Sequence, residues 1–102
     1  MPQKDYITWL DDKTYLRIDF VTVKGRVASF VVRLMRVEHE KLINIVRYDT
    51  AHGMPHRDVL DRNGRVLRKD WLLDMTFDQA LTYAKKELLE NYETYVRYFQ
   101  MH

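Results

Sequence analysis

Ionisable side chains crowd one stretch of this chain, Arg47-Tyr48-Asp49-Thr50-Ala51-His52-Gly53-Met54-Pro55-His56-Arg57-Asp58. A histidine that is neutral near pH 7 can give or take a proton. An arginine offers a fork of donors suited to phosphate or carboxylate. The stretch therefore holds the parts for cleaving RNA without metal, the 2′-hydroxyl serving as internal nucleophile. His52 and His56 would be acid and base, Asp49 would orient one of them, and Arg47 would hold the phosphate. The plainer reading is a turn whose histidines bond the backbone. The His52-x3-His56 spacing suits metal ligands on a helix, but Gly53 and Pro55 lie between them and break that geometry. A loop can gather His52, His56, Asp49 and Asp58 around an ion, yet no spacing rule supports it. No metal and no cofactor is expected, and a metal-dependent hydrolase is the remote alternative.

A second polar set is spread over the strands. If their faces coincide, Arg17, Asp19, Arg33, Arg47 and Asp49 form a polar cluster on one sheet face. Such a cluster either binds a phosphodiester or closes on itself as cross-strand ion pairs. Further basic residues, Arg57, Arg62, Arg65, Arg68 and Lys69, surround a hairpin, with Tyr48 and Trp71 near enough to stack on bases. Asp58, Asp61 and Asp70 supply counter-charges for the alternative of a solvated hairpin. Ligand contacts are thus expected from Arg47, Tyr48, Arg33, Arg17 and Asp58. Tyr92, Tyr95, Tyr98 and Phe99 sit at helical spacing and read as core and interface.

The elements that must position these groups are legible from periodicity. Residues 5–10 are rich in β-formers and precede an Asp11-Asp12-Lys13 turn. Residues 14–23 alternate, Leu16, Ile18 and Phe20 against Tyr15, Arg17 and Asp19. Lys24-Gly25 is a turn, residues 26–37 a long strand, Glu38-His39-Glu40 a polar hairpin and residues 41–49 a fourth strand. Alternation in that strand sets Ile43, Ile45, Arg47 and Asp49 on one face. Asp61-Arg62-Asn63-Gly64 carries the Asn-Gly signal of a type I′ turn between residues 58–60 and 65–67. Thr76-Phe77-Asp78-Gln79 has the form of a capping box, and Phe77, Leu81, Ala84, Leu88, Tyr92, Tyr95 and Phe99 follow as one apolar stripe. The expected fold is α+β: an antiparallel meander of about five to six strands, then one long C-terminal helix packed on one sheet face.

The chain of 102 residues suits one domain, and 46% hydrophobic residues exclude wholesale disorder. It has no cysteine, which excludes disulfides and thiol catalysis. Neither a signal peptide nor an apolar membrane span is expected, so a soluble, cytoplasmic protein is. Residues 1–75 carry 14 basic against 11 acidic groups, and residues 76–102 carry 3 against 4. That excess is too small to indicate nucleic-acid binding alone. The third and fourth strands are apolar on both faces. One helix covers one face, so a second copy of the chain or a small protein partner is expected on the other. The alternative cover is residues 71–73, Trp-Leu-Leu, folding over it.

The segment Val46-Arg47-Tyr48-Asp49-Thr50-Ala51-His52-Gly53-Met54-Pro55-His56 resembles the central motif of small prokaryotic TumE-type toxin-like proteins. There an apolar strand runs into an Arg-aromatic-Asp segment and a Pro-His-rich loop within a compact α+β domain. Arg47, Tyr48, Asp49, His52, Pro55 and His56 are the matching positions. The family pattern continues with a histidine two places after the Pro-His pair, where this chain has Asp58, which departs from a histidine-based mechanism. The resemblance implies a toxin–antitoxin component with an antitoxin-like partner, acting on RNA. A non-enzymatic interaction module is the alternative.

Overall fold

Two-residue turns with both central residues at positive φ bring successive strands back antiparallel, because their twist matches that of the strands. Lys24 and Gly25 make one such turn, at φ 53° and 77°. His39 and Glu40 make the other, at φ 51° and 65°. The computed structural model describes residues 3–102. It contains β1 (Gln3–Trp9), β2 (Thr14–Val23), β3 (Arg26–Glu38), β4 (Lys41–Asp49), a short 3-10 turn (Ala51–Gly53), β5 (His56–Leu60), β6 (Val66–Trp71) and α1 (Phe77–Met101). The six strands form one sheet in sequence order, every neighbouring pair antiparallel. The fold is thus an α+β meander closed by one C-terminal helix.

Thr76 caps that helix as expected. Its hydroxyl accepts from Gln79 N–H at 3.1 Å, and Gln79 Oε1 accepts from Thr76 N–H at 2.9 Å. Asp78 accepts from Val27 N–H, both oxygens at 3.3 Å, tying the first helical turn to β3. The core lies between α1 and one sheet face. Leu16, Ile18, Phe30, Val32, Leu34, Ile45, Val46 and Tyr48 meet Ala80, Leu81, Ala84, Leu88 and Phe99 there.

Three local expectations change. A bulge in β4 lets Leu34 face Val46 while Met35 faces Asn44, leaving Ile45 as the extra residue. The side chains before it change face, so Ile43 and Ile45 join the core instead of sharing a face with Arg47 and Asp49. A second bulge, between Ser29 and Val27 opposite Val21 and Thr22, brings Val27 against the core. The β5–β6 turn is not type I′: Gly64 has φ 79°, but Asn63 is not at positive φ. Instead Asp61 N–H donates to Arg65 O at 2.9 Å, and the Asp61 carboxylate accepts from the N–H groups of Asn63 and Arg65. This makes a longer loop with glycine in the left-handed position. The flanking strands also extend further, β5 back to His56 and β6 on to Trp71.

Candidate functional site

The sheet face turned away from α1 carries the polar groups, and the strand register sets them in rows. Ile7, Arg17, Arg33, Arg47, Asp58 and Lys69 are successive partners across all six strands. The adjacent row is Asp5, Asp19, Val31, Asp49, His56 and Trp71. On the other side of the arginines runs Trp9, Tyr15, Met35 and Asn44. Strands in a sheet lie roughly 4.8 Å apart, so Arg17, Arg33 and Arg47 are immediate neighbours. The faces of the predicted polar cluster do coincide.

Ion pairs knit the two polar rows. Asp19 Oδ2 receives both Arg17 Nε and Arg33 Nη1 at 3.3 Å. Arg17 Nη2 also reaches the exposed Asp5, at 3.5 Å. Arg47 spans two carboxylates, Nε lying 3.0 Å from Asp49 and Nη2 2.8 Å from Asp58. Lys69 Nζ lies 3.2 Å from Asp58 Oδ1. Arg47 Nε and Asp58 Oδ1 are nonetheless without a well-directed hydrogen bond, so charge more than direction holds these two contacts. Burial pushes the Asp58 carboxyl up, but the bonds and charges of Arg47 and Lys69 outweigh it and keep it below its ordinary value.

His56 lies within this cluster and is only 2% exposed. Its Nδ1 faces Met54 O at 3.1 Å, while Nε2 faces Asp49 at 3.1 Å and Asp58 at 3.5 Å. The Trp71 ring covers it at 5.1 Å. Both ring nitrogens are thus engaged inside the protein. His52 stands apart, exposed and at φ 67°, and joins no hydrogen bond or ion pair found among the described residues. The structure therefore brings Arg47, Asp49, His56 and Asp58 together and leaves His52 outside. Ligand atoms of Asp49, His56 and Asp58 lie within 4.8 Å of one another. Arg47 and Lys69 already neutralise these two carboxylates, and a divalent ion would add two more positive charges beside them. The donor set fits an ion-pair cluster better than a metal centre.

Tyr48 falls on the opposite face from Arg47 and Asp49, as alternation requires. It is fully buried under α1, where its hydroxyl donates to Glu87. It does not line the outer face as a stacking residue. A second network surrounds it, for which no residue spacing offers a cue. Arg57 Nη1 donates to Glu87 at 3.2 Å and to Tyr95 Oη at 3.0 Å, and Tyr95 donates to Glu87 at 2.7 Å. The other edge of Arg57 holds Asp70 at 2.7 Å. Burial and the Glu87 carboxylate push the phenols of Tyr48 and Tyr95 up. Glu87 reads from sequence as one more polar helix residue, and only the β5–α1 contact reveals its role. Lys69 was visible as a basic residue, but its pairing with Asp58 depends on hairpin register.

Among the described residues no helix is long and apolar enough to cross a membrane. No curated protein and no solved structure matches the chain. The family model described as Domain of unknown function (DUF7718) matches residues 1–102, and the chain belongs to that family.

Proposed function

We propose that the outer sheet face binds a phosphate-bearing ligand, single-stranded RNA in the first place, and that the protein works by binding rather than by cleavage. The observation that carries this reading is the row of Arg17, Arg33 and Arg47 on the face that α1 leaves open. Arg17 and Arg33 share the partly buried carboxylate of Asp19, and the second carboxylate near them, Asp5 at 3.5 Å from Arg17, is exposed to solvent. A guanidinium has five N–H donors, and Arg33 directs one of them, to Asp19. Donors therefore remain for a phosphate at the Arg17–Arg33 end, whereas Arg47 is balanced by two aspartates. The site thus moves from the residue 47–58 segment toward β2 and β3. Exposed Trp9 and Trp71 stand in the neighbouring rows, where bases can stack. The resemblance of residues 46–56 to TumE-type proteins supports the same ligand class, and a toxin–antitoxin-type role belongs to this proposal.

Binding is favoured over catalysis because both ring nitrogens of His56 are engaged and His52 joins no hydrogen bond or ion pair among the described residues. The test is fluorescence anisotropy with a labelled oligouridine, followed by electrophoresis of the RNA. Binding that falls in Arg33→Ala, with the RNA intact throughout, is the expected result. Cleavage products that vanish in His56→Ala or His52→Ala would overturn the binding-only reading.

The second reading is a partner-binding module. It is favoured by the apolar side chains exposed around the same face, Ile7, Leu42 and Trp71. A stoichiometric protein partner or a homodimer in light scattering, with no affinity for RNA, would select it.

A further inference from the structure

β4 is paired on both sides over only part of its length. Toward β3 its ladder runs back to Lys41, opposite Glu38. Toward β5 it ends at Val46, opposite Val59, where β5 leaves into its turn. Between the β4 edge and that turn opens a cleft of about 590 Å³, lined among others by Leu42, Ile43, Asn44, Arg47 and Leu60.

The direction of the backbone in this cleft follows from one hydrogen bond. Val37 N–H donates to Lys13 O at 2.8 Å, toward β2 and away from β4. Val37 and its partner Leu42 therefore form a non-hydrogen-bonded pair, and Leu42 points its N–H and C=O away from β3. Met35 and Asn44, two residues along, repeat the arrangement. Leu42 and Asn44 thus present two sets of donor and acceptor to a sheet edge that, among the described residues, holds no strand. Asn44 Oδ1 adds a buried acceptor with no partner among the described residues, which leaves a desolvated group unanswered. The acidic groups at the cleft are already satisfied: Glu38 by Arg62 at 2.7 Å and Arg36 at 3.4 Å, Asp61 by backbone N–H groups. Lys41, also lining the cleft, is in no ion pair among the described residues.

We propose that this cleft binds an extended acidic peptide segment of another protein. The segment adds to β4 as a strand through the backbone of Leu42 and Asn44 and sets a carboxylate against Lys41. Strand addition supplies affinity through main-chain bonds and selectivity through alternate side chains. The cleft shares only Arg47 with the arginine row, and the proposal stands independently of RNA binding.

The probe is a capped short peptide of alternating valine and glutamate, titrated into isotope-labelled protein. The amide signals of Leu42 and Asn44 should shift, and their hydrogen exchange should slow by about tenfold at saturation. The same peptide N-methylated on its β4-facing residues should bind about tenfold more weakly, the effect of one to two lost hydrogen bonds. Lys41→Glu should weaken binding by about threefold, as loss of an exposed ion pair does. The N-methylated peptide tests the backbone pairing without altering the protein. Absence of binding at millimolar peptide, equal binding of the N-methylated form, or shifts confined to β1 would each overturn the proposal. So would a response of the Leu42 and Asn44 amides to oligouridine in place of the peptide.

Discussion

At the scale of single residues, adjacent side chains divide the labour because a strand alternates. Asp58 points to the outer face and Arg57 under the helix, each into its own charge network. Arg57 connects Asp70, Glu87, Tyr48 and Tyr95. The network is partly buried, and removing one partner leaves the others unsatisfied, at a cost of about 1–3 kcal/mol. Arg57→Met should therefore lower the urea midpoint by that equivalent, and a change below about 1 kcal/mol would mean that the network is solvated.

The carboxyls of Asp58, Asp70 and Glu38 are all held below their ordinary values. In Asp58 and Asp70 burial opposes the shift, and their arginine and lysine partners outweigh it; in Glu38 the bond from Arg62 is the largest cause. A depressed folded-state pKa contributes stability that is present above the unfolded value and lost as pH falls through the folded one. These groups should leave stability level down to about pH 5 and subtract from it below about pH 4, near the unfolded carboxylate values. Urea titrations at a series of pH values check this. Asp58→Asn should show a shallower acid loss than the unaltered protein. An equal loss would remove Asp58 from the account.

At the scale of elements, the sequence reveals strand count, hairpin order and the capped helix because each has a local cause. The two-residue turns, the alternation of β2 and the Thr76–Gln79 box all act within a few residues of chain. Bulges are different. The extra residue in β4 is set by how it meets β3, so strict alternation placed Ile43 and Ile45 on the wrong face. The correction removes much of the apolar surplus from the outer face, and Val96 on the helix also packs against the core. The Asn63-Gly64 signal misled for a similar reason, since the Asp61 side chain organises that loop.

The β3–β4 hairpin carries strain that the sequence does not resolve. His39 and Glu40 both have side chains yet sit at positive φ. Each such residue costs roughly 1–2 kcal/mol relative to glycine. Replacement by the favoured pair, His39→Asn with Glu40→Gly, should raise stability by about 1–2 kcal/mol in denaturant unfolding. A loss of stability would show that the two side chains make contacts that outweigh the backbone strain.

At the scale of the whole molecule, one helix closes one side of a six-stranded sheet, and the other side stays open with charged rows across it. The identities of Arg17, Arg33, Arg47, Asp49 and Asp58 were legible in the sequence, and so was their potential to share a face. That they do share one depends on register across three strand pairs. The position of His56 was less legible, because its burial comes from Trp71, fifteen residues later on β6. The most direct test of the central claim is the salt dependence of oligouridine binding, for the unaltered protein and for the Arg17→Gln, Arg33→Gln pair. Each phosphate contact to a single strand contributes about 0.7 to the slope of log K against log salt, so losing two should make it shallower by about 1.4. An unchanged slope in a correctly folded double variant, or no salt-dependent binding at all, would contradict the assignment of the arginine row as the ligand surface.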